Sequence, residues 1–164
     1  MNDQMKSEKY KLLFVCLGNI CRSPTAEGIM IDLVKKAGLE HQIQIDSAGT
    51  YGGHAGELPD SRMRQHASRR GYNLISRSRQ VKPMDFEEFD LILAMDDKNY
   101  QNLRDLAPDI ESMNKVHRMV EFCQNSTLDY VPDPYYGGAE GFELVLDLLE
   151  DACEGLLNDV KQKL

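Results

Sequence analysis

Residues 11–38 read KLLFVCLGNICRSPTAEGIMIDLVKKAG and carry the signals of a strand, a tight loop and a helix in direct succession. The apolar run at 11–16 is typical of a short buried strand. A helix is predicted from about 23 to 37, with Pro24 in its first turn and Gly38 at its C-terminal cap. A strand that passes so directly into a helix indicates an α/β fold.

The remaining apolar runs and helical patterns alternate in the same way. Strands are predicted at 42–48, 91–95 and 115–120, and helices at 60–70, at 98–106 and over an amphipathic segment from about 142 to 160. We therefore expect an α/β three-layer sandwich with a central four-stranded parallel sheet and helices on both faces. In such sheets ligands bind beyond the carboxyl ends of the strands, which here are near Cys16, Ala48, Met95 and Val120.

The length of the chain and its apolar runs bear on domain organisation and location. With 164 residues it fits one domain, 1–164, in which the polar residues from 1 to about 9 are expected to form a flexible tail. The apolar run at 12–17 is too short for a signal-peptide core, and no stretch approaches the roughly 20 apolar residues of a membrane helix. We expect a cytoplasmic protein that does not bind membranes and is a monomer or a weak homodimer.

Charge and cysteine spacing exclude two further classes of site. The net charge of -8 argues against nucleic-acid binding, which usually needs a basic surface. The sequence has no Cys-x-x-Cys pair and no pair of histidines at metal-binding spacing, so neither a metal nor any other cofactor is expected. The four cysteines of the sequence are Cys16, Cys21, Cys123 and Cys153.

The loop after the first strand has the composition of an oxyanion-binding site. A cysteine, five residues and an arginine form a loop short enough to curl around one tetrahedral anion. Gly18 and Asn19 both tolerate the positive φ that such a loop demands, and Ser23 suits the N-cap of the following helix. Backbone N–H groups could then bind phosphate together with the positive end of that helix. The residues that would supply them are Leu17, Gly18, Asn19, Ile20, Cys21 and Arg22.

Cys16 and Arg22 are the reactive groups of this loop. Arg22 can bind two phosphate oxygens in a bidentate fork. Its charge and the amide dipoles favour the thiolate form of Cys16 over the thiol. A thiolate in this position can attack phosphorus and form a phosphocysteine intermediate, which splits hydrolysis into two steps.

Four motifs in the same order resemble those of the low-molecular-weight protein tyrosine phosphatases. They are CLGNICRSP at 16–24, DSAGT at 46–50, MDD at 95–97 and DPYY at 133–136, and they extend over most of the chain. The resemblance implies that Cys16 is the nucleophile and Arg22 the phosphate clamp. It also implies that Asn19 and Ser47 hold the loop by hydrogen bonds and that Ser23 donates to the thiolate. The substrate implied is a phosphotyrosine-containing protein.

Asp133 is the candidate general acid/base. A phosphotyrosyl ester needs a proton on its leaving oxygen, and the same group can afterwards activate water. Asp133 lies between Pro132 and Pro134, and a proline restricts the residue before it to extended conformations, which favours a fixed carboxyl group. Tyr135 and Tyr136 follow and are predicted to form a wall against which a substrate ring stacks.

Three positions leave details of the site open. Many relatives carry an aromatic residue where Gly53 stands, although Tyr51 is close enough to substitute for it in part, and many carry a histidine where Ser76 stands. Both differences concern the rim of the pocket and substrate preference. Cys21 could form a reversible disulfide with Cys16 that protects the nucleophile, or could simply pack inside the loop.

Three other functions share parts of this pattern. Arsenate reduction uses a similar loop but needs resolving cysteines, and 80–95, where related reductases carry them, has none. Phosphoarginine phosphatases have threonine at the position of Ile20, so Ile20 favours phosphotyrosine. A non-catalytic phosphotyrosine-binding module would have no need of Cys16, Arg22 and Asp133 together.

Overall fold

The computed structural model describes residues 8–164, so most of the predicted tail at 1–9 lies outside the described residues. The strands are β1 (Tyr10–Cys16), β2 (Ile43–Gly49), β3 (Leu91–Ala94) and β4 (Val116–Arg118). The helices are α1 (Arg22–Lys36), α2 (Ser61–Ser68), α3 (Asp85–Glu88), α4 (Asp97–Leu106), α5 (Ile110–Met113) and α6 (Ala139–Lys161). Two 3₁₀ turns cover Met119–Phe122 and Pro134–Tyr136.

The four strands form one parallel sheet in the order β2-β1-β3-β4, as predicted. Alternate residues of β1 enter two separate apolar cores, because successive side chains of a strand point to opposite faces. Leu12 and Phe14 join the core that contains α1 and α6, whereas Leu13 and Val15 join the core that contains α3 and α4. The three-layer sandwich with helices on both faces is therefore confirmed.

Helix α1 differs from its prediction at the N-terminus. It begins at Arg22, and its N-cap is Cys21, whose side chain makes no capping hydrogen bond. Ser23 is therefore not the N-cap: its hydroxyl is turned away from the helix amides, towards the sulfur of Cys16. At the other end, Gly38 follows the helix with φ 72°, in the left-handed conformation that glycine adopts without strain.

The short elements differ from the prediction. Helices α3 and α5, with four residues each, were not predicted, and β4 was predicted at 115–120 but has only three residues. Four residues make about one helical turn, which is too short to show the 3.6-residue periodicity on which a prediction depends. Within residues 8–164 no helix is both long enough and apolar enough to cross a membrane.

Gly155 in α6 allows the helix to lie against the 3₁₀ turn at Met119–Phe122. A Cβ at this position would lie 1.9 Å from the carbonyl oxygen of Phe122. In an open helix, alanine would be about 1 kcal/mol more favourable than glycine. Here the overlap with backbone forces the helix away, and overpacking of this kind costs about 1–3 kcal/mol. We expect Gly155→Ala to lower the free energy of unfolding, measured by urea denaturation.

Gly141, also in α6, supplies the matched control. A Cβ there would meet nothing closer than the Cβ of Pro134 at 3.7 Å, an ordinary contact. Gly141→Ala should leave the urea midpoint unchanged or raise it. A midpoint raised by Gly155→Ala would show that α6 does not need glycine at this crossing.

Candidate active site

The loop at 16–22 lies at the carboxyl end of β1. Neighbouring segments hold it in place by donating hydrogen bonds to its carbonyl oxygens. Four of these oxygens accept a bond from another segment: Cys16 from the Thr50 amide at 3.0 Å, Leu17 from the Tyr51 amide at 2.9 Å, Gly18 from the Ser78 hydroxyl at 2.9 Å and Ile20 from the Asp60 amide at 2.7 Å. Within residues 8–164 the amides of 17–21 have no protein acceptor. Because the carbonyl groups are bonded outward, this run of amides is left to bind an anion.

Two backbone features permit this tight curl. Asn19 has φ 58° and is the one non-glycine residue with positive φ in the described part of the chain. Gly18, also expected to tolerate positive φ, does not adopt it. Gly49, at the end of β2, approaches the loop so closely that a Cβ would lie 2.6 Å from the carbonyl oxygen of Leu17. The glycine of the 46–50 motif thus leaves room for the loop.

Arg22 is buried beneath the loop and held by groups from two other segments. Its Nη1 donates to Asp96 Oδ2 at 2.7 Å and to the carbonyl oxygen of Val131 at 3.0 Å, and its Nη2 lies 3.8 Å from Asp133 Oδ2. Burial alone would lower the pKa of Arg22, but the nearby Cys16, Asp96 and Asp133 raise it overall. The guanidinium therefore stays charged in spite of its burial.

Asp96 was not singled out by the sequence, although it lies in the motif at 95–97. One of its oxygens accepts the bond from Arg22, and the other caps α4 by accepting from the Asn99 amide at 2.8 Å. The signal was present in principle, because an aspartate directly after a buried strand lies at the ligand-binding edge of a parallel sheet. Its partner is far away in sequence, so the bond itself could not be predicted.

A hydrogen-bond network joins Asn19, Ser23 and Ser47 to Cys16. The side-chain nitrogen of Asn19 donates to Ser23 Oγ at 2.7 Å and to Ser47 Oγ at 3.0 Å. The side-chain oxygen of the same residue accepts from the backbone amide of Arg79 at 3.1 Å. Ser23 Oγ lies 3.0 Å from the sulfur of Cys16. Because the Ser23 oxygen accepts from Asn19, its own proton can point at the sulfur, 3.0 Å away, or at the carbonyl oxygen of Ala48, 3.4 Å away.

Glu27 ends the other branch of this network and was missed by the sequence analysis. Its carboxylate accepts from Ser47 Oγ at 2.5 Å. Burial raises the pKa of Glu27, and the nearby charge of Asp46 adds to this. No local pattern marks Glu27, because it lies in the middle of a helix and its partner comes from another segment.

A pocket opens above the loop. Asp133 is at its side, with one carboxylate oxygen accepting from the Tyr135 amide at 3.0 Å. Tyr135 also lines the pocket, whereas the side chain of Tyr136 lies outside what the structure describes. The full lining is Cys16, Leu17, Gly18, Ile20, Cys21, Arg22, Tyr51, His54, Asp133 and Tyr135.

Tyr51 is the aromatic residue that the second motif's loop contributes to the pocket. A Cβ at Gly53 would lie 2.2 Å from Tyr51 Cζ, so the ring fills the space that a side chain at Gly53 would need. The ring also makes an edge contact with His54, with centroids 6.1 Å apart. A side chain at position 53 would therefore require the exposed ring of Tyr51 to move.

The cysteines are all free thiols in the structure. Cys21 is buried inside the loop, and burial together with the charge of Asp60 raises its pKa. Cys153 is buried in the core between α1 and α6, and Cys123 is partly buried. In residues 8–164 no three His, Cys, Asp or Glu side chains are grouped in a way that could hold a metal ion.

The arrangement can bind and cleave a phosphate ester. The Cys16 thiol, the buried guanidinium of Arg22 and the carboxyl group of Asp133 line one pocket, together with the loop whose amides have no acceptor among the described residues. Amides and arginine would neutralise a phosphate dianion. The parallel sandwich, this loop and the carboxyl group of Asp133 together indicate a phosphatase, a hydrolase of phosphoric monoesters.

Comparison with known proteins narrows this class. The sequence pattern of the family described as low molecular weight phosphotyrosine protein phosphatase matches residues 11–164. A relative from Synechocystis sp., named as a low molecular weight protein-tyrosine-phosphatase, is 51% identical over 154 residues. The match covers 94% of this chain and 98% of the relative. The chain belongs to the low molecular weight phosphotyrosine protein phosphatase family.

Two solved structures are similar over nearly the whole chain. The protein tyrosine phosphatase of Entamoeba histolytica, with Hepes in its active site, is 48% identical with a TM-score of 0.92, covering 94% of this chain and 99% of that one. The Drosophila arginine phosphatase DARP is 32% identical with a TM-score of 0.86, covering 92% and 98%. The same fold thus includes proteins named for two different phosphorylated residues.

Proposed function

We propose that this protein hydrolyses phosphotyrosine in proteins through a phosphocysteine intermediate on Cys16. Arg22 binds the phosphate, and Asp133 acts as general acid and then as general base. The observation that carries the proposal is the orientation of the loop: carbonyl groups of 16–20 are bonded to neighbouring segments, the amides of 17–21 keep no acceptor among the described residues, and the Ser23 amide donates to the sulfur of Cys16 at 3.4 Å. We also propose that the reaction needs no metal. The protein would work as a monomer or a weak homodimer in the cytoplasm.

Substrate binding uses the amides of 17–22 and Arg22. Three phosphate oxygens need donors, and a run of amides at a helix N-terminus supplies them with little reorganisation. The carboxylate of Asp96 fixes one arm of Arg22, so the guanidinium is oriented before the substrate arrives. Phosphate is thereby positioned with its phosphorus in front of the sulfur.

In the first step the Cys16 thiolate attacks phosphorus. An S–P bond forms while the bond from phosphorus to the phenolic oxygen breaks, and Asp133 gives its proton to that oxygen. The hydroxyl of Ser23, 3.0 Å from the sulfur, stabilises the thiolate by donating to it. In the second step Asp133 takes a proton from water, the water oxygen attacks phosphorus, and the S–P bond breaks to release phosphate and restore the thiolate.

Two aromatic side chains that line the pocket favour an aryl ester. Tyr51 and Tyr135 come from separate loops and both line the pocket together with Cys16. A substrate phenyl ring in contact with them would gain aromatic contacts that a guanidino group could match only in part. Ile20, which also lines the pocket, supports the same preference. The similarity to the Drosophila arginine phosphatase makes phosphoarginine the alternative substrate.

A substrate comparison tests the proposal directly. We expect purified protein in excess chelator to release phosphate from phosphotyrosine peptides with a kcat/KM at least about tenfold higher than from phosphoarginine peptides, an advantage of roughly 1.4 kcal/mol. Arsenate reduction with a thiol donor should be absent. Faster hydrolysis of phosphoarginine would reverse the specificity, and a requirement for added divalent metal would contradict the mechanism.

A further inference from the structure

Arg62, in the first turn of α2, contacts the loop that carries Asp133. Its Nη2 donates to the carbonyl oxygen of Tyr135 at 3.0 Å. The amide of the same residue donates to Asp133 Oδ1, also at 3.0 Å. One residue of the loop is therefore held by Arg62 through its carbonyl group and holds the carboxylate of Asp133 through its amide.

The other side of Arg62 is tied to the phosphate-binding loop through Asp60. The guanidinium donates to both oxygens of the Asp60 carboxylate, from Nε at 3.2 Å and from Nη2 at 3.0 Å. The amide of Asp60 in turn donates to the carbonyl oxygen of Ile20 at 2.7 Å. Arg62 thus connects the loop that contains Asp133 to the loop that contains Cys16 by direct hydrogen bonds.

Aromatic packing fixes the plane of the guanidinium. Arg62 lies over the ring of Phe142 at 4.9 Å and over the ring of Tyr135 at 5.5 Å. Phe142 is buried in the core and belongs to α6, so it does not move with the loop. A planar cation in contact with both rings is oriented for the bidentate bond to Asp60.

On its other side Asp133 has a second anchor at Val131. The amide of Val131 donates to the carbonyl oxygen of Met95 at 2.8 Å, and its carbonyl oxygen accepts from Arg22 at 3.0 Å. In the sequence Asp133 therefore lies between two anchored residues. Val131 is hydrogen-bonded to Met95 and Arg22, and Tyr135 is hydrogen-bonded to Arg62. Loss of the Arg62 anchor would leave the carboxyl group held from one side.

We propose that Arg62 is a positioning residue that sets the reach of Asp133 towards the leaving oxygen. The proposal rests on the general-acid role proposed for Asp133. Proton donation matters most when the leaving oxygen belongs to a weakly acidic phenol, which is a poor leaving group as an anion. A displaced general acid should therefore lower kcat/KM more for esters of weakly acidic phenols than for esters of acidic phenols. A purely structural role for Arg62, or a role in binding phosphate, would slow all leaving groups alike.

The test is the dependence of kcat/KM on the leaving group. A series of aryl phosphates is used, from acidic nitrophenols to phenol itself, with wild type, Arg62→Met and Arg62→Lys. We expect Arg62→Met to lower kcat/KM for phenyl phosphate by roughly 10–100-fold, the size of effect that a misplaced group produces. Acidic phenols should lose much less, and Arg62→Lys, which keeps the charge without the fork, should fall between. Arg62 is exposed, so its ion pair contributes little to folding and the variants should stay folded.

Arg64 and Asp133 supply the controls. Arg64 lies on the same helix and donates to the carbonyl oxygen of Pro59 at 2.9 Å, away from the pocket, so Arg64→Met should leave the leaving-group dependence unchanged. Asp133→Asn should steepen the dependence. A steep response in Asp133→Asn with an unchanged or uniform response in both Arg62 variants would overturn the role of Arg62 alone. A flat response in Asp133→Asn would instead remove the general acid, and the inference with it.

Discussion

Cys16→Ser is expected to abolish turnover while phosphate binding is retained. The serine hydroxyl is not ionised near neutral pH, whereas the proposed reaction needs an anionic sulfur. The loss should be on the order of 10⁶-fold in kcat, the size seen when a hydrolase that works through a covalent intermediate loses its nucleophile. Phosphate should still bind, because the amides of 17–22 and Arg22 are unchanged. Turnover of an aryl phosphate and calorimetric titration with inorganic phosphate measure the two effects.

Cys123→Ser is the matched control for this substitution. Cys123 is partly buried, lies outside the pocket and donates to the carbonyl oxygen of Leu148 over a long distance of 3.9 Å. The same atom exchange at this position should leave kcat within about twofold, a change of roughly 0.4 kcal/mol in the barrier. Retained activity in Cys16→Ser would contradict the covalent mechanism. Loss of phosphate binding together with activity would mean that the substitution had disturbed the loop.

The sheet could be predicted from the sequence because each of its signals is local. The run at 11–16 is apolar on both faces, which is the pattern of a central parallel strand, and β1 indeed contacts two cores. The loop after it was also predictable, since Cys16, Arg22 and Pro24 mark it within a few residues. Helix α6 carries a long amphipathic pattern and was found for the same reason.

The contacts that hold the site together could not be predicted in the same way. Arg22 bonds to Asp96, and Arg62 bonds to the backbone of Tyr135, across more than seventy positions of sequence. Such pairs depend on how the elements pack, and no spacing or periodicity records them. The assignment of Ser23 as the N-cap failed for a related reason: local preference favours the cap, but its hydroxyl instead lies between Asn19 and the sulfur of Cys16.

Asp133→Asn is expected to lower kcat/KM for phosphotyrosine by roughly 10²–10⁴-fold, the range typical of a lost general acid. Asparagine has nearly the same shape, and its side-chain oxygen can still accept from the Tyr135 amide, so the turn at 133–136 should persist. It has no proton of suitable acidity to give to the phenolic oxygen. The effect therefore isolates proton transfer from loop structure, which an alanine substitution would not.

Asp129, in the same loop, is the control for charge. It is exposed and is not among the residues that line the pocket, so Asp129→Asn removes the same charge without touching the reacting atoms. Its kcat/KM should equal that of wild type. Asp96 is the alternative carboxylate near the pocket, but both of its oxygens accept hydrogen bonds, one from Arg22 and one from the N-terminus of α4. In Asp133, Oδ1 accepts from the Tyr135 amide, whereas Oδ2 lies 3.8 Å from Arg22, which makes Asp133 the better candidate for the proton donor. If Asp133→Asn hydrolyses phosphotyrosine at the wild-type rate, another group must protonate the leaving oxygen.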